Sequence, residues 1–149
     1  RGIMIRIGAN PIGWSNDDMI EIGGETPLEV CLAEAREAGF TGMELGNKFP
    51  RDPDALKPIM ARYGLDIVGG WYSSNLLVRD AEAEIAAMDA HMALLKAMGS
   101  SVFILAETSN AVHGDREGGR LDWPPTPMNR ACGSPITTIW AQWSRPART

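Results

Sequence analysis

Val102-Phe103-Ile104-Leu105-Ala106-Glu107 is an unbroken apolar run that ends in a carboxylate. A strand apolar on both faces suits a parallel sheet covered on both sides. Gly99 stands before it as a helix stop, and Ile85, Met88, Met92 and Leu95 recur upstream at helical spacing behind Asp80, a ready N-cap. Leu65 to Tyr72 reads as the preceding strand, after Gly64. Leu56, Ile59, Met60 and Tyr63 form a second helical stripe, capped by Asp52 or Asp54. Pro58 costs that helix little if it falls near the first turn.

Further out, Gly42-Met43-Glu44-Leu45-Gly46 reads as a strand and Leu28, Cys31, Leu32, Ala35 and Ala38 as a helix closed by Gly39. Thr26, Pro27 and Glu29 spell a capping box. A polar loop from Pro11 to Gly24 links this helix to a first strand at Ile5–Asn10. The order is βαβαβαβ, which makes a parallel sheet with right-handed crossovers. A barrel segment and an open doubly wound sheet both satisfy it. No Gly-rich phosphate loop follows the first strand, which disfavours the second. Polar or aromatic residues (Asn10, Glu44, Trp71, Glu107) stand at every strand's C-terminal end, where a barrel builds its active site. The chain has 149 residues and a full barrel needs ~250. Residues 1–115 therefore read as the N-terminal (β/α)4 half of a TIM (β/α)8 barrel, and 116–149 as an irregular tail.

Composition bounds the function. Hydrophobic content of 44% is globular, and a net charge of −5 offers no basic patch for nucleic acid. No apolar run approaches the ~18 residues of a membrane span, and no signal peptide is visible. A cytoplasmic location is the expectation. Cys31 and Cys132 fit no zinc spacing, and Cys31 reads as a buried thiol. Met4 is a candidate natural start, with Arg1-Gly2-Ile3 as added residues. The tail from 116 holds five Arg, no Lys and two acids, a net charge of +3 against −8 before it. It also holds half of the ten Pro and three of the five Trp.

Gly8-Ala9-Asn10-Pro11-Ile12-Gly13-Trp14-Ser15-Asn16-Asp17-Asp18 resembles the opening of the inosose dehydratase family. So do Glu44-Leu45-Gly46-Asn47-Lys48-Phe49-Pro50, Gly70-Trp71-Tyr72-Ser73 and Ala106-Glu107-Thr108-Ser109-Asn110-Ala111-Val112-His113-Gly114. The resemblance covers residues 5–115. It implies a cytoplasmic enzyme of inositol breakdown on a xylose-isomerase-like barrel, removing water from 2-keto-myo-inositol with manganese or cobalt. Such a reaction needs the carbonyl oxygen polarised, a carbon proton removed and a hydroxyl released. It also needs polar and aromatic groups around a hydroxyl-covered ring.

Glu107 is a candidate base, acid or metal-shell residue; the competing reading ties its carboxylate to nearby loop N–H groups. Glu44 follows the same logic. Lys48 is a solvated loop lysine by composition, and only the resemblance raises it to a catalytic candidate. Trp14 and Trp71 are candidates to line the ring pocket, against a core role. Asn10 and Asn16 are candidate hydroxyl partners, against loop capping. A histidine is the side chain whose ordinary charge change falls near neutral pH, so His113 joins the substrate-binding candidates, against an incidental loop position. His91 reads as a surface residue, and Asp17-Asp18 as a solvated acidic loop, against a metal pair. No metal site emerges from spacing alone. The resemblance implies that the metal ligands come largely from later strands, beyond the matched region, so this chain is expected not to bind the family's metal.

The family's His-His-His-Met-Gly-Thr-Val-Val-Gln motif is missing as written. Allowed codons for Pro135 to Arg145, regrouped one base earlier, spell His-His-His-His-Met-Gly-Thr-Val-Val-Gln. Trp140 and Trp143, with one codon each, leave little freedom in that regrouping. The expectation is a change of frame between Asp115 and Pro135, an inactive fragment, and an open β-edge after the fourth strand that invites self-association. A basic interaction tail is the other reading of residues 116–149. The alternatives for function are a sugar isomerase or epimerase on the same barrel, and a non-catalytic half-barrel that binds a partner or polyol.

Overall fold

The sheet grows in chain order. The computed structural model describes residues 5–109 and the strand Thr138–Gln142. Gly8–Ala9 (β1), Gly42–Leu45 (β2), Asp66–Ser74 (β3) and Val102–Glu107 (β4) run parallel, each beside the next. Leu28–Glu37 (α1), Pro53–Tyr63 (α2) and Ala81–Ala97 (α3) fill the crossovers. A doubly wound sheet reverses its strand order at a switch point. These four strands never reverse, and the unit is half of an α/β barrel.

Helix ends follow local chemistry, with two departures from expectation. Asp52 accepts from the Asp54 amide at 3.1 Å, and Asp80 from the Ala83 amide at 2.8 Å. Gly64 closes α2 at φ 62°, a backbone state that other residues adopt only with strain. The capping box does not form. Pro27 itself is the N-cap of α1, with no side-chain cap, and Lys48 Nζ takes the Thr26 carbonyl at 2.6 Å. Pro58 lies inside α2 rather than near its first turn, so it has no amide to give the Asp54 carbonyl. β1 is also shorter than the expected strand, and Ile5 and Ile7 before it are exposed.

One core joins the helices to the sheet: Leu32 and Ala35 of α1, Leu56 and Met60 of α2, and Leu94 and Leu95 of α3, against Met43, Ile67 and Phe103. Cys31 is buried beside it, as expected. α3 is rotated from its expected stripe. Ile85 is 63% exposed and its neighbour Glu84 is 1% exposed. Glu84 is tolerated inside because Tyr72 donates its hydroxyl to it at 2.8 Å and Arg79 Nη1 lies 3.4 Å away.

Gly69-Gly70 in β3 re-aims the strand. Met43 opposes Ile67, but Glu44 opposes Gly69, leaving Val68 as the extra residue of a bulge. A side chain at Gly69 would point at Val102 and Ile104; one at Gly70 would meet His91 and Leu95 of α3. Beyond the bulge, Trp71 and Ser73 are exposed on the face opposite the helices, while Ser74 is buried.

His91 is not a surface residue. Its ring packs between Tyr72 and Phe103, with centroids 5.9 and 5.6 Å away, and its buried Nε2 has no hydrogen-bond partner. Burial pushes its pKa below the ordinary 6.5; a bond with the Gly70 backbone opposes this, and the Arg51 charge adds to it. The unfolded chain then binds the extra proton first. Stability is expected to fall as pH drops below about 6.5. Denaturant midpoints between pH 7.5 and 5.5 should decline more steeply in the wild type than in His91→Leu.

Among the described residues, the tail contributes one regular element. Thr138–Gln142 (β5) pairs antiparallel with β4, from Val102 opposite Gln142 to Ala106 opposite Thr138. The edge expected to stand open is thus occupied by the chain itself, and the stretch expected to be irregular supplies the strand.

Candidate functional site

The C-terminal ends of β1, β2 and β3 converge on a cleft of about 510 Å³. Asn10 follows β1, Glu44 lies in β2, and Trp71 and Ser73 lie past the bulge in β3. Asn10 binds in two directions. Its Oδ1 accepts from the Ile12 amide at 2.8 Å, which fixes the 3-10 turn Pro11–Gly13. Its Nδ2 donates to Glu44 Oε2 at 2.8 Å. Burial raises the Glu44 pKa above its ordinary value, and the Asn10 bond only partly offsets this. A carboxyl with a raised pKa is better matched to proton transfer near neutrality than an ordinary one.

Trp71 is 43% exposed and donates Nε1–H to Ser73 Oγ at 3.0 Å. Its indole stands partly exposed in the cleft lining. The opposite wall is polar. Asp17 accepts from the Asn47 amide at 3.1 Å, and Arg51 donates Nη2–H to the Gly46 carbonyl at 3.0 Å. Burial lowers the Arg51 pKa, and the Asp17 charge opposes that shift. Gly46 is required here because a Cβ would stand 2.7 Å from Pro11 Cγ.

Of the residues the sequence pointed to, Asn10, Glu44 and Trp71 meet in the cleft. Four others are placed elsewhere. Lys48 Nζ is spent on the carbonyls of Gly24 and Thr26, pinning the loop before α1. Trp14 donates Nε1–H to Glu34 at 2.6 Å and packs on the core. Asn16 Oδ1 accepts from the amides of Asp18 and Met19, a loop cap. Glu107 accepts from Ser74 Oγ at 3.0 Å and from the amides of Leu76 and Ser109, each at 2.7 Å. Burial acts to raise its pKa, but the bonds from Ser109, Leu76 and Ser74 outweigh it and bring it down to about 2. His113 lies outside the described residues. Asp17, read as part of a solvated acidic loop, instead lines the cleft and holds the Asn47 amide. Arg51 and Ser73 line the cleft without having been singled out; Ser73 stood in a quoted motif, and Arg51 follows Pro50 in the rim loop.

Among the described residues, no three His, Cys, Asp or Glu side chains are grouped to hold a metal ion. Glu44 is the one cleft carboxylate on a strand, and it is paired with an amide rather than a second donor of that kind. No helix among the described residues is long and apolar enough to cross a membrane.

No model of a protein family matches the chain. Curated proteins do. A rhizopine catabolism protein, MocC, of Rhizobium meliloti is 47% identical over 109 residues, 73% of this chain and 34% of its own length. The inosose dehydratase of Geobacillus thermodenitrificans is 40% identical over 121 residues, 81% of this chain and 41% of its own. That of Serratia proteamaculans is 39% identical over 114 residues, 76% of this chain and 38% of its own. The chain thus spans between a third and two fifths of the length of these relatives. Over roughly three quarters of its length, on a half-barrel whose rim gathers Asn10, Glu44 and Trp71, the chain is thus similar to part of the inosose dehydratases and of MocC.

Proposed function

We propose that this chain is a portion of an inositol-catabolism dehydratase and that its rim cleft binds a cyclic polyol ketone, 2-keto-myo-inositol. The observation that carries the reading is the meeting of Asn10, Glu44, Trp71 and Ser73 at one cleft. Asn10 orients the Glu44 carboxyl, and burial keeps a proton on it to higher pH than usual. Glu44 can then hold or pass a proton at a ring oxygen or carbon, while Trp71 covers the ring's C–H face. Arg51, Asn47 and Ser73 supply hydrogen bonds to hydroxyls. Manganese or cobalt belongs to the family expectation, and the part proposed for this chain's own residues is ring binding and proton handling. Catalytic loss in this chain and a cytoplasmic location belong to the same proposal.

The reading also takes residues 116–149 as translated out of frame, supported by the regrouped codons that restore the missing motif. The coding DNA across residues 110–149 tests this: codons that forbid the regrouping would remove it. Product analysis on the frame-restored protein tests the reaction. A dione that has lost water is expected. A ketone that keeps every hydroxyl would assign the cleft to isomerisation instead.

A further inference from the structure

β4 is the one long apolar strand among the described residues with an outer edge that needs a partner. The other edge strand, β1, has two residues and runs into Pro11, so it offers little to pair with. In β4, Phe103, Ile104 and Ala106 are all buried, and its outer edge pairs with β5. β5 differs from every other strand of the sheet. It is antiparallel, and thirty residues of chain separate its start from the end of β4. Backbone pairing of this kind asks little of side-chain identity, so even an out-of-frame segment can provide it.

We propose that Thr138–Gln142 is an edge guard, and that the β4 edge, once released, pairs antiparallel with the β4 of a second copy of this chain. The existing β4–β5 register demonstrates that this edge accepts an antiparallel strand over Val102–Ala106. A two-fold axis at Ile104 generates such a strand from a second β4, setting Val102 opposite Ala106 and Phe103 opposite Leu105 in both directions. Exposed apolar residues also stand at the C-terminal end of β4. The Leu76 and Leu77 amides bond Glu107 and Ser109 at the end of β4, and Leu76, Leu77 and Val78 are exposed. A two-fold dimer along β4 sets one such apolar run at each end of the joined strands.

The test compares the wild-type chain with the double variant Ile139→Pro/Trp140→Pro. Of two adjacent residues in a strand, one directs its N–H to the neighbour, so the pair removes a β4 bond whichever it is. Light scattering during gel filtration and amide exchange of residues 102–106 are read together. The wild type is expected to be monomeric with protected β4 amides. The variant is expected to be dimeric with those amides still protected, and a peptide of residues 136–144 should return it to monomer. A monomeric variant with fast-exchanging β4 amides, or a wild type already dimeric, would overturn the proposal. If the double variant does not fold, Ala141→Pro cuts the pairing at one end. A raised dimer fraction then supports the guard, and an unchanged mass contradicts it.

Discussion

Replacing Glu107 by Ala is expected to destabilise the half-barrel by about 2–4 kcal/mol, read from urea unfolding. The carboxylate is a clamp between two rim loops. It takes the Ser74 hydroxyl and the amides of Leu76 and Ser109, and Thr108 closes the same corner by donating its amide and hydroxyl to the Ser74 carbonyl. Bonds to an ionised acceptor are individually worth about 1.5–3 kcal/mol, and water recovers part of the loss at the exposed Leu76 amide. The pH dependence separates this clamp from simple packing. Glu107 has its pKa drawn down to about 2, so its contribution is complete above the unfolded carboxyl range near 4.5 and is lost as pH falls toward 2. Glu107→Ala should flatten that acid limb. Equal acid slopes in variant and wild type would refute the clamp.

Gly42→Ala is expected to cost about 3 kcal/mol, large for a single methyl. The reason lies on the sheet face opposite the helices, where Val68 lies flat across Gly8 and Gly42. A Cβ at Gly42 would stand 2.3 Å from Val68 Cγ1 and 2.8 Å from the Asp66 carbonyl oxygen. The valine can rotate, but the carbonyl belongs to the β2–β3 ladder. Adding Val68→Ala should therefore recover only part of the loss, and the double-mutant cycle reads that coupling directly. Full recovery would mean that the backbone contact costs nothing. The bulge at Val68 is also what turns Trp71 to the cleft, so Gly42→Ala should weaken ligand binding as well as stability.

The repeat of strand and helix was legible because its signals are local. Asp80 caps the turn that follows it, Gly64 needs a positive φ, and Val102–Ala106 is apolar whichever face is counted. What the sequence hid depends on contacts made far along the chain. Thr26 looks like a cap until Lys48, twenty-two residues on, takes its carbonyl. Glu84 is polar by type, yet Tyr72 and Arg79 draw it inside and turn Ile85 out. His91 fits under β3 only because Gly70 has no side chain.

The site was legible by half for the same reason. Position at a strand's end identifies rim residues but not where their oxygens and nitrogens are spent. Glu107 and Glu44 look alike in sequence; one is saturated by loop amides, and the other keeps a raised pKa at the cleft. Lys48 and Asn16 also stand at the rim, and both are spent on backbone groups of the β1–α1 loop.

The most direct measurement is a titration of the isotopically labelled chain with 2-keto-myo-inositol, followed by nuclear magnetic resonance with myo-inositol as the control ring. Saturable shifts at Asn10, Glu44, the Trp71 indole and Ser73, weakened in Glu44→Gln and Trp71→Ala, are the predicted result. Shifts that gather around Glu107 and Lys48 instead, or no saturable shift at all, would contradict the assignment of the cleft.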